Sequence, residues 1–136
     1  MKNKIILSIK TRPINLVLIL IVMFLYFCNN IFLKSNTTGM VHYFFISHFN
    51  DLICPLFFIS YANILLISIG KELRKLRWIM LFGLCSGLVW EFWAPILKAS
   101  SVTDILDLFF YLIGAFLYWC IINLYLFFKE RRKFND

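Results

Sequence analysis

Four apolar runs decide what this chain can fold into. They cover residues 14–33, 50–70, 78–97 and 104–128, and the segments between them are short and polar. A helix of about 20 apolar residues is what it takes to cross the hydrocarbon core of a bilayer. Lipid offers the backbone no hydrogen-bond partners, so a spanning segment must satisfy its own peptide groups, and a helix does so. The expected fold is all-α: a polytopic membrane protein with four transmembrane helices, forming one domain over residues 1–136. Composition points the same way. Residues are 62% hydrophobic and 15% charged, against about 45–50% apolar and 25% charged in soluble domains. The 16 Phe suit lipid-facing surface and interfacial belts.

Pro13 suits the first turn of a helix and opens the first run. No small-residue cleavage site follows that run, which reads as a retained span rather than a signal peptide. Residues 40–49 are too short to span. With Tyr43, Phe44, Phe45 and Phe49 they read as a segment lying in the membrane interface. Asn50 is a candidate cap for the second span, with Asp51 in its first turn. Ser60, Tyr61 and Asn63 give that span a polar side, which suggests packing on protein. Ser101 with Asp104, or Thr103, would cap the fourth span. Cys28, Cys54, Cys85 and Cys120 are widely spaced within apolar runs and read as buried thiols.

The net charge of +7 is distributed by topology. Twelve of the 14 Lys and Arg fall in the N-terminal segment, the 71–77 turn and the C-terminal tail. Only Lys34 and Lys98 lie on the other side. The positive-inside rule then places both termini in the cytoplasm, N-in and C-in. Anionic lipid at that face accounts for the charge, so no nucleic-acid partner is expected.

The acids separate in the same way. Glu72, Glu130 and Asp136 sit among the basic residues. Asp51, Asp104 and Asp107 sit at the outer ends of their spans, and Glu91 lies about 9 Å inside the third. A carboxylate at such a depth is costly and marks a functional candidate. Gly83 and Gly87 form a small-xxx-small packing face that Glu91 continues by one turn. Asp104, Asp107, Tyr111, Gly114 and Tyr118 share a face of the fourth span.

The expected site is an outward acidic pocket formed by Asp51, Glu91, Asp104 and Asp107. Trp90, Trp93, Tyr111 and His48 are its candidate walls. Glu91, Asp104 and Asp107 are candidate ligands for a divalent cation, since hard cations take oxygen donors. Plainer readings stand beside this one: Asp51 and Asp104 as helix caps, Trp90 and Trp93 as interface anchors, the histidines as hydrogen-bonded interfacial residues, and Glu91 as a neutral helix–helix bond. No nucleophile motif, phosphate loop or HExxH is present, so the reading leans away from an enzyme.

The order Glu91, Asp104, Asp107, Gly114 resembles the VanZ-like family of small bacterial membrane proteins. That family has a glutamate in one helix, two aspartates three apart at the start of the next, and a glycine seven residues on. This chain has Tyr111 where the family often has asparagine, and serine where it often has arginine. Asn50-Asp51-Leu52 near Pro55, followed by Glu91, Pro95, Thr103-Asp104, Asp107, Tyr111 and Gly114, is also similar to small uncharacterised membrane proteins labelled as citrate–metal transporter candidates. The resemblance implies a multi-pass protein of the bacterial inner membrane, linked to the cell envelope. The function expected is binding of a polar or cationic ligand, such as a lipid head group with a divalent ion, in the outer pocket. The alternatives are a secondary transporter working as a homo-oligomer, and a structural subunit of a larger membrane complex.

Overall fold

The computed structural model describes residues 6, 12–97 and 105–135. Every element among them is helical. Helix α1 runs Pro13–Cys28, with Pro13 in its first turn as expected. It continues through a π-helical turn, Asn29–Leu33, into the short α2, Lys34–Asn36. Helices α3, Gly39–Ser47, and α4, Phe49–Ser68, follow. Then come α5, Leu76–Leu97, and α6, Ile105–Asn135. Four stretches are long and apolar enough to cross a membrane: Pro13–Asn36, Gly39–Ser68, Leu76–Trp93 and Ile105–Arg131. Phe24, Phe27, Phe92, Phe109 and Phe128 are exposed on their outer faces, as lipid-facing surface requires.

Helix α4 begins at Phe49, so Asn50 is not its cap. His48 holds that position and makes no capping bond with its side chain. The α3–α4 break is a single residue, because His48 N–H still reaches Phe44 O at 2.9 Å and Leu52 N–H reaches His48 O at 3.0 Å. Helix α4 is 20 residues on its own, enough to cross. It ends in a Schellman turn: Gly70 N–H bonds Ile67 O, and Lys71 N–H bonds Leu66 O at 2.9 Å. Gly70 sits at φ +78, a conformation that a side chain disfavours. The Ser101, Thr103 and Asp104 caps lie outside the described residues.

Helices α4 and α6 form the central pair, with α1 packed on α4 and α5 packed on α6. Small residues on both sides of α6 make this possible. A Cβ on Gly114 would meet the Leu52 carbonyl oxygen and the Pro55 ring of α4. A Cβ on Gly83 would lie 2.6 Å from the Ala115 methyl, and one on Gly87 would lie 3.0 Å from the Tyr111 ring. The Gly83–Gly87 face is therefore taken up inside the chain, against α6. The core is Leu18, Ile59, Ile79, Ala115, Tyr118 and Ile122, one shared centre for all four long helices.

The helices alternate in direction, which sorts the polar residues to two ends. At one end Arg12 Nε meets Glu72 Oε1 at 3.0 Å, beside the 71–75 turn. The buried amide of Asn63 clasps that turn. Its Nδ2 donates to Leu73 O at 3.1 Å, and its Oδ1 accepts Leu73 N–H at 2.7 Å. The same Nδ2 donates to Tyr118 Oη at 2.6 Å, and Tyr118 donates to Asn15 Oδ1 at 2.8 Å. One chain of bonds thus ties α1, α4, α6 and the turn. Ser60 and Asn63 are buried as the polar side of α4 predicted, whereas Tyr61 is exposed.

Candidate functional site

The other end gathers the acids. On α5 the buried positions recur every four residues, as Ile79, Gly83, Gly87 and Glu91. This row packs on α6 and delivers Glu91 at its far end, 8% exposed. Asp51, in the first turn of α4, is within electrostatic reach of Asp107, Glu91 and His48. Asp107, in the first turn of α6, holds His48: Nδ1 and Oδ1 are 2.8 Å apart. The imidazole is further fixed by stacking on Phe110, with centroids 4.8 Å apart, and by the edge of Tyr43 at 5.3 Å. Three of the four expected acids therefore lie toward the same end of the bundle. The fourth, Asp104, lies outside the described residues.

Two further polar groups complete the end of the bundle. Asn29, at the start of the π turn, donates from Nδ2 to Phe45 O and to Asn50 Oδ1, both at 3.0 Å. This bond pins α1 to the α3–α4 corner. Tyr111 is almost fully buried, with Cys54 close to its hydroxyl. Pro55 has no N–H, so the helical bond that would engage the Asp51 carbonyl is missing.

A cavity of about 570 Å³ opens beside Asp51. Its floor is polar, with Asn50, Asp51 and Tyr111, and its walls are apolar, with Tyr26 and Phe57 on one side and Trp90 on the other. Helices α1 and α5 flank the central pair with little direct contact between them. The cavity lies between them, lined from both. Trp90 is thus a wall, as expected. Trp93 is not: it is 59% exposed and takes no part in lining the cavity. His48 bonds Asp107 and does not line the cavity. Among the described residues, no three His, Cys, Asp or Glu side chains are grouped closely enough to hold a metal ion.

Reading the sequence by its charges missed the amides. Asn15, Leu18, Val22 and Asn29 are the buried positions of α1 and its π turn. Their spacing of three, four and seven marks one helix face. Two asparagines on that face of an otherwise apolar run were a usable signal, since amides bond across helices in membranes. The chain matches no family model, no characterised protein and no solved structure.

Proposed function

We propose that this is a multi-pass protein of the bacterial inner membrane that binds an amphiphile at its acidic end. The basic end would face the cytoplasm by the positive-inside rule, which sets both termini inside and the acidic end outside. The ligand would be a lipid-like molecule whose head group carries positive charge, by itself or with a divalent ion. The observation that carries this reading is the cavity. Its floor bears Asp51, with Glu91 and Asp107 adding to the same field. The rest of its lining is largely apolar and includes residues of α1 and Trp90 of α5. A positive group entering there is attracted by three acids in a medium of low dielectric, while a hydrocarbon tail leaves between the two helices without meeting water. The order of Glu91, Asp107 and Gly114, shared with VanZ-like proteins, fits a role in the cell envelope.

The test is saturable quenching of tryptophan fluorescence by an alkylammonium with a brominated tail. Trp90→Phe should remove most of the saturable signal, and Asp51→Asn should weaken binding about tenfold, or ~1.4 kcal/mol. Equal quenching by an uncharged amphiphile of the same length would sink the proposal.

A further inference from the structure

The cavity at Asp51 does not end at Trp90. Trp90 and Phe58 also wall a second hollow of about 280 Å³, together with Phe82, Cys85, Ser86 and Val89. Phe82 and Cys85 in turn wall a third, of about 670 Å³, which reaches Trp78 and the turn residues Glu72, Arg74 and Lys75. Along α5 the lining residues are Trp78, Leu81, Phe82, Cys85, Ser86 and Val89, spaced by three and four. This stripe lies roughly a third of a turn around α5 from the Gly83–Gly87 row. Nothing among the described residues covers it, and Trp78, Leu81, Cys85 and Val89 are exposed.

We infer that this groove binds an anionic phospholipid, with its phosphate at Arg74 and Lys75 and an acyl chain lying along α5 toward Trp90. Charge complementarity fixes which end holds the head. Glu72 also borders the basic hollow, but Arg12 engages its carboxylate at 3.0 Å. Arg74 Nε stands 4.0 Å from Glu72, a loose contact that leaves its guanidinium donors available, and Lys75 is exposed. Trp78, with Arg77 5.4 Å from its ring, sits where an interfacial aromatic marks head-group depth. The middle of the groove is apolar, which suits a tail and resists passage of a head group.

Shape separates a lipid from a second helix. Close helix packing in membranes uses small side chains. This stripe offers Trp78, Phe82 and Trp90 around hollows, and the glycines of α5 are already occupied by α6. The inference stands apart from the acidic pocket, since it concerns the opposite end of the groove and the opposite charge.

The experiment is native mass spectrometry of the full chain, released from detergent holding equal palmitoyl-oleoyl phosphatidylglycerol and phosphatidylcholine. The wild type should retain phosphatidylglycerol about tenfold or more over phosphatidylcholine, the scale set by two basic residues near an anionic group. Arg74→Gln with Lys75→Gln should abolish the preference. Cys85→Trp, which fills the groove from an exposed position, should lose both lipids. Asp51→Asn should leave phosphatidylglycerol retention unchanged, which separates this site from the acidic pocket. Retention without preference, or a preference that survives the Arg74 and Lys75 changes, overturns the inference. So does a dimer that Cys85→Trp dissociates, because the stripe would then belong to a second copy.

Discussion

Two polar clusters close the two ends of this bundle, and they use their polar atoms in opposite ways. At the basic end, Asn15, Asn63 and Tyr118 bond to one another and to the Leu73 backbone. The groups are neutral, the bonds span three helices, and only Asn15 Nδ2 and Ser60 Oγ there lack a partner among the described residues. At the acidic end, Asp51 lies within electrostatic reach of Asp107 and Glu91, and His48 bonds Asp107 at 2.8 Å. A cavity opens beside them. Neutral amides that satisfy one another hold helices in place. Acids gathered beside a cavity, on the function proposed above, would serve a positively charged ligand instead. The difference teaches that burial of polar groups has two meanings in one small bundle, and that the sign of the residual field tells them apart.

The comparison can be broken most forcefully where both ends depend on one contact. Gly114→Ala drives a methyl into the Leu52 carbonyl and the Pro55 ring. It should cost the most, about 3 kcal/mol, the upper range for overpacking, in equilibrium unfolding from detergent. Gly83→Ala meets only the Ala115 methyl and should cost less. At the basic end, Asn63→Leu strands Leu73 N–H and a hydroxyl acceptor, and should destabilise by about 2 kcal/mol. At the acidic end, Asp107→Asn weakens the His48 contact and should lower stability by about 1.5 kcal/mol. Tyr118→Phe removes one hydroxyl from the basic network and should cost about 1 kcal/mol. Asp51→Asn should be the smallest, with stability unchanged or slightly raised, because sites built for ligands trade stability for function. A stability loss from Asp51→Asn equal to that of Asn63→Leu would erase the distinction.

The spans, their alternation and the row from Gly83 to Glu91 were legible in the sequence, because each is a periodic pattern read along one helix. The placing of Asp51, Glu91 and Asp107 toward one end was legible from charge sorting: alternate helices put their acids at the same end. The His48–Asp107 contact was not. It depends on a one-residue break between α3 and α4 that turns His48 toward α6, and neither flank carries a Pro or Gly to announce it. The Asn29 contact depends on the π turn, whose wider winding re-aims that side chain. The Tyr118 network joins residues up to 103 positions apart, and no local pattern reports such a pairing. The fate of Trp93 turned on helix rotation, which an apolar run on both faces fixes loosely.

The most direct test of the two-ended account is a cross between stability and binding. Melting temperature in detergent would be measured for the wild type, Asn63→Leu and Asp51→Asn, each with and without a saturating single-chain alkylammonium. The account predicts that Asn63→Leu melts lower but keeps the full ligand-induced rise, while Asp51→Asn melts at or above the wild type and loses the rise. A ligand-induced rise that survives Asp51→Asn, or one that disappears with Asn63→Leu, would contradict it.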